Sequence, residues 1–229
     1  MEGSASHFTN IVVWGGFALA FVFGLIANKT NFCTMGALSD IVNMGHWGRM
    51  RMWLLAIAVA IAGATALLYT GQVDLSKATV QRPTLTWLSL LVGGLTCGVG
   101  MTLSGGCANK NLVRVGGGSV RSIVVLVFLG IASYMTLKGL FGQWRASWLD
   151  PVAVNLADLG WKDQSLATAV TKLTGLPAAS ALLATAAVLV LALLVFVFKD
   201  KRFRANPTQI IGAVVLGPLV VGGWYASGQ

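Results

Sequence analysis

The residues best suited to chemistry lie in one stretch, Ser104-Gly105-Gly106-Cys107-Ala108-Asn109-Lys110-Asn111-Leu112-Val113-Arg114-Val115-Gly116-Gly117-Gly118-Ser119. Here a thiol and two cations stand between glycine clusters, with long uncharged runs on either side. If 108–114 is helical, Cys107, Lys110, Asn111 and Arg114, spaced by three or four residues, share one face. That face presents a thiol, an amine, an amide and a guanidinium. Gly105 and Gly106 are expected to leave backbone N–H groups free at a helix N-terminus, where hydrogen bonding and the helix dipole both favour an anion. A small anion is the ligand such a pattern suits. The competing reading of Lys110 and Arg114 is a charge signal that fixes membrane topology.

An internal echo points the same way. Cys33-Thr34-Met35-Gly36-Ala37-Leu38-Ser39-Asp40 can be laid on Cys107 to Arg114, both reading Cys, four residues, Leu, one residue, then a charge. Each copy follows one apolar run and precedes another, a pattern of transporters built from structural repeats with sites at broken helices. Asp40 and Arg114, at matching positions, are expected to form an ion pair that holds the two loops. The third cysteine, Cys97, has Gly93, Gly94, Gly100 and Met101 three or four residues away. It therefore lies on a small-residue stripe where another helix can approach. A path-lining thiol and a small buried hydrophobe both fit that position.

Three cysteines without a CxxC pair offer no thioredoxin or zinc-ribbon spacing. Two histidines far apart, and apolar segments almost free of carboxylates, leave zinc, triad and paired-carboxylate enzymes without their residues. No catalytic residue, resident metal or organic cofactor is expected. A thiol is a weak donor and a soft acceptor, whereas sulfate and phosphate sites are usually filled by strong donors. Cysteines along a path therefore suit a sulfur-bearing ligand.

The elements that must position these groups follow from composition. The 229 residues are 56% hydrophobic and 10% charged, and the mean hydropathy is +0.77, which excludes a soluble globular domain. Six spans are expected, at 11–28, 52–73, 83–103, 119–139, 175–198 and 207–226, most long enough for a hydrocarbon core of about 30 Å. In the fourth, Arg121 and Lys138 can snorkel from the ends. The whole is read as one membrane domain, 1–229, with an outer-surface loop at 140–172 whose Trp144, Trp148 and Trp161 suit an interfacial helix or a lid.

Lys29, Arg49 and Arg51, then Lys110, Arg114 and Arg121, then Lys199, Lys201, Arg202 and Arg204 follow alternate spans. The positive-inside rule places these on the cytoplasmic side and the N-terminus outside. Lys77, Arg82 and a loop with Lys138, Arg145, Lys162 and Lys172 diluted by Asp150, Asp158 and Asp163 take the other face. The net charge of +9 then reflects topology, and no nucleic-acid partner is expected. The 199–204 cluster reads as a topology determinant touching anionic lipid, with an anion-collecting vestibule as the competing reading.

At these residues the chain resembles the YeeE/YedE family of sulfur-compound transporters, whose characterised members take up thiosulfate. The resemblance rests on Asn31-Phe32-Cys33-Thr34-Met35-Gly36-Ala37-Leu38-Ser39-Asp40, on Cys97 in its glycine-rich helix, and above all on Gly105-Gly106-Cys107 with Leu112-Val113-Arg114-Val115-Gly116-Gly117-Gly118-Ser119. It implies an all-α integral membrane protein with short re-entrant cysteine-bearing loops and two pseudo-symmetric halves. It also implies that Cys33 and Cys107 are loop thiols and Cys97 a pore-lining one, between which thiosulfate moves through weak S–H···S contacts. Family members run well beyond this length, so the second half is expected to be missing, either supplied by another copy or a complementary half or absent because this is a fragment of a longer two-repeat protein. The function expected is uptake of thiosulfate or a related sulfur anion across a bacterial inner membrane. The rivals are a persulfide-carrying subunit delivering to a cytoplasmic sulfurtransferase, a Cu(I) permease using cysteine with Met35 and Met101, and a structural membrane subunit.

Overall fold

The computed structural model describes residues 2–71, 84–155, 165–174 and 177–227. Lys77, Arg82, Asp158, Trp161, Lys162 and Asp163 lie outside the described residues. The helices are α1 (Glu2–Thr30), α2 (Thr34–Met44), α3 (Gly48–Tyr69), α4 (Trp87–Ser104), α5 (Ala108–Gly116), α6 (Val120–Lys138), α7 (Leu140–Trp144), α8 (Leu166–Thr174), α9 (Ala178–Phe198), α10 (Lys201–Arg204) and α11 (Pro207–Ser227). Two dipeptide strands, β1 (Thr84–Leu85) and β2 (Val154–Asn155), pair antiparallel with Thr84 opposite Asn155. Six stretches are long and apolar enough to cross a bilayer, and the chain is an all-α multi-pass membrane protein. Two of them, Val12–Met44 and Trp87–Gly116, run through a cysteine turn.

The chain forms two compact units. The first joins Met1–Ala78 to Leu166–Gln229. Its core is Met52, Leu55 and Ala56 of α3, Val197 of α9, Phe203 of α10, and Ala213 and Leu216 of α11. Lipid tails are as apolar as leucine, so helix association in a bilayer depends on close packing. Glycines supply it here. A Cβ on Gly63 of α3 would lie 2.6 Å from Val221 Cγ2, one on Gly217 of α11 would lie 2.6 Å from Val59 Cγ1, and one on Gly212 would lie 2.5 Å from Thr30 Cγ2. The seams of α11 with α3 and with α1 are therefore tighter than any side chain larger than hydrogen would allow at these positions.

The second unit is Thr79–Ser165. α4 buries no residue and α6 only Ser122. Leu90, Leu95, Val99 and Leu103 on α4, and Val124, Phe128, Ile131 and Leu137 on α6, are all exposed. Helices apolar on every side have hydrocarbon or other protein as their natural solvent. After α6, α7 passes directly into a π-helical turn, Arg145–Leu149, closed by the Asp150 N–H donating to the Arg145 carbonyl at 2.9 Å. Trp144 and Trp148 face each other across this turn, ring centroids 6.4 Å apart.

Candidate functional site

Each buried cysteine begins a short helix. In the first unit, α1 stops at Asn31, whose φ of 52° is left-handed, a conformation asparagine tolerates better than most residues. Cys33 follows in extended backbone as the N-cap of α2, and its Sγ accepts the Gly36 N–H at 3.4 Å. α2 ends at Gly45, φ 63°, whose N–H returns to the Asp40 and Ile41 carbonyls. The second unit repeats the plan. α4 ends at Gly105, φ 68°, and Cys107 is the extended N-cap of α5, without a side-chain capping bond. Cys33 and Cys107 are buried, Cys97 on α4 is exposed, and none is in a disulfide.

The glycines before Cys107 act differently from the sequence expectation. The Gly105 N–H bonds back to the Thr102 carbonyl at 3.2 Å and that of Gly106 to the Met101 carbonyl at 3.2 Å. They close the C-terminus of α4, as a left-handed glycine does, and are not donors to a ligand. The dipole that faces Cys107 is that of α5 itself. Of the later glycines, Gly118 has a left-handed φ of 84°, Gly116 is the last residue of α5 and Gly117 its C-cap.

Helix 108–116 forms as its spacing suggests, and the stripe folds back on its own turn. Asn111, 1% exposed, donates from Nδ2 to the carbonyls of Gly106 at 3.3 Å and Cys107 at 3.4 Å. Arg114 donates from Nη1 to the Gly105 carbonyl at 3.0 Å. A Cβ on Gly106 would sit 3.5 Å from both Arg114 Nη1 and Lys110 Cβ. Ser104 adds a hydroxyl bond to the Gly106 carbonyl at 2.8 Å. Three successive carbonyls, from 105 to 107, are thus pinned by side chains, which fixes where the Cys107 thiol projects.

The Cys33 turn has a guanidinium as well, from a residue that sequence reading gave only to topology. Arg49 of α3 pairs through Nε with Asp40 Oδ2 at 3.0 Å, and its Nη1 would lie 2.9 Å from a Cβ on Gly36. Gly36 therefore admits Arg49 to the turn. Asp40 is thus paired inside its own unit and Arg114 is bonded inside the other. The signal was present. Asp40 lies five residues before Gly45 and Arg49 four after it, and a helix–turn–helix reversal at Gly45 brings those positions together.

The match to a known family covers both cysteine turns. A family model described as Sulphur transport matches residues 29–229. A thiosulfate transporter, TsuA, of Spirochaeta thermophila is 26% identical over 138 residues, 60% of this chain and 40% of that protein. TsuA of Escherichia coli is 26% identical over 139 residues, 61% of this chain and 37% of that protein. The chain thus matches about two-fifths of the length of these curated relatives.

Proposed function

The chain belongs to the Sulphur transport family, and on that premise we propose that it moves a small sulfur-containing anion, thiosulfate foremost, across the bacterial inner membrane. The path is marked by Cys33, Cys97 and Cys107. The observation that carries this reading is the repeated placement of a buried cysteine at the N-cap of a short helix with an arginine beside the turn: Cys33 with Arg49, Cys107 with Arg114. A thiol there can donate weakly to a sulfur anion, while the helix N-terminus and the guanidinium balance its charge. Weak donors suit passage, since a site that is to release its ion must not hold it too firmly.

The cysteine turns enter the membrane as re-entrant elements in this reading. A continuous helix over the 33 residues of Val12–Met44 would be about 50 Å long, against a hydrocarbon core of about 30 Å. Breaking it at Asn31 to Cys33 lets the short helix turn back. The N-terminus lies outside, and a second copy or a complementary half completes the conduit, in keeping with relatives of greater length. A cytoplasmic sulfurtransferase is the partner class that would take up the delivered sulfur.

The test is uptake of labelled thiosulfate in cells lacking their own importers, comparing this chain with Cys107→Ala at matched membrane expression. Loss of at least roughly tenfold in the variant is expected, equivalent to about 1.4 kcal/mol. Unchanged uptake removes the thiol from the mechanism.

A further inference from the structure

Away from the cysteine turns, the residues that begin α3 and those that begin α11 enclose a cavity of about 130 Å³. Two guanidiniums line it, Arg51 and Arg202, together with His46 and the carboxamides of Asn206 and Gln209. Its one lining carboxylate, Asp200, is already engaged through both oxygens. Oδ2 pairs with Arg51 Nη1 at 2.7 Å, and Oδ1 accepts the Arg202 N–H at 3.0 Å. Arg51 is further fixed by the Phe196 ring, whose centroid is 5.4 Å from Cζ, and its Nε is buried with no hydrogen-bond partner among the described residues. The Arg202 guanidinium is exposed and takes part in no ion pair among the described residues.

Two long helices add their fields to these cations. α3 has 22 residues and its first N–H, that of Gly48, donates to His46 Nδ1 at 3.3 Å, α11 has 21, and their first turns meet so closely that a Cβ on Gly48 would lie 3.3 Å from Gln209 Oε1. Both macrodipoles thus present their positive ends to the cavity. Lys199, Lys201 and Arg204 flank Arg202 in sequence and raise the local concentration of anions. The space exceeds what one water requires, and its lining of two guanidiniums, one carboxylate and two carboxamides carries a net charge of one positive.

We propose that this cavity is a second anion site, built for a tetrahedral oxyanion and separate from the cysteine turns. Arg202, Asn206 and Gln209 supply the donors and Arg202 the net positive charge, the Arg51–Asp200 pair being neutral overall and serving as a fixed wall. A free inorganic oxyanion and the phosphate of an anionic lipid headgroup share this chemistry.

The test uses the full chain, delipidated in an uncharged detergent. Titration calorimetry with sulfate and with inorganic phosphate is combined with native mass spectrometry of retained phosphatidylglycerol, on the wild type and on Arg202→Gln, Gln209→Leu and Cys107→Ala. Expected is binding weakened by at least roughly tenfold in Arg202→Gln and unchanged in Cys107→Ala. Sulfate or phosphate responding in this way identifies a free anion as the occupant. Loss of retained phosphatidylglycerol from Arg202→Gln, with no response to the inorganic ions, identifies a lipid headgroup. Binding indifferent to both Arg202→Gln and Gln209→Leu, or absent for ions and lipid alike, overturns the proposal. Arg202 is exposed, so its substitution leaves the core intact, and Gln209→Leu gives an independent reading. Because the readout is binding, the outcome does not depend on whether the chain transports thiosulfate.

Discussion

Asn111 offers the sharpest test of how the Cys107 turn is held. It is almost wholly buried, and its amide donates to two carbonyls at 3.3 and 3.4 Å. Both bonds are long, so each belongs near the lower end of the usual net contribution of about 0.5–1.5 kcal/mol. Asn111→Ala should lower the free energy of opening the turn by about 1–2 kcal/mol, which raises the open population by about 5–30-fold. Cys107 is 8% exposed and should react with a maleimide mainly when the turn opens locally. Cys97, exposed on α4, serves as an internal standard. Labelling followed by peptide mass analysis should show Cys107 reacting about 5–30-fold faster in the variant, with Cys97 unchanged. If Cys107 reacts at its wild-type rate while thiosulfate uptake falls, Asn111 contacts the ligand and the bracing argument is wrong.

Other substitutions probe the surrounding frame. Arg49→Gln, Asp40→Asn and their combination form a cycle in which thermal melting should show coupling of about 1–3 kcal/mol, between the surface and buried limits for an ion pair; additive effects would dissolve the pair. Gly217→Ala should destabilise the α3–α11 seam by about 1–3 kcal/mol through the clash with Val59. Adding Val59→Ala should recover part of that loss, and absence of recovery would place the strain elsewhere. Gly105→Ala forces a side chain into the left-handed region at a cost of about 1–2 kcal/mol, to be read as a lower melting temperature. Gly116→Ala, where a Cβ meets nothing within 4 Å, is the control that should not share it.

Much of this was legible in the chain because the bilayer imposes simple rules. Long apolar runs mark the helices, and the matched cysteine segments mark where helices break. The stripe Cys107, Lys110, Asn111 and Arg114 could be placed on one face of α5 from spacing alone. What those side chains touch could not, since Asn111 and Arg114 reach backward to carbonyls whose positions depend on the left-handed Gly105. Symmetry between repeats suggested Arg114 as the partner of Asp40, and within its own unit the reversal at Gly45 delivers Arg49 at short range. Arg51 and Asp200 lie 149 residues apart in sequence, and a single sequence carries no sign that they meet. The cationic cluster at 199–204 was legible as a candidate anion-collecting vestibule, but not the cavity beside it, whose walls are two helix starts joined only by folding.

The cysteine caps also speak to selection among atoms. Sulfur is a poorer hydrogen-bond acceptor than oxygen, and serine, one atom different, is among the preferred N-cap residues while cysteine is not. At position 33 the Sγ nevertheless fills the capping role toward Gly36. Serine should therefore keep the α2 terminus in place, or strengthen it, while deleting only the sulfur. The mildest exchange for the fold is thus the most searching one for activity. A cap that gives up helix stability for a softer atom has the character of a working part, one whose value lies in what it does for a passing guest.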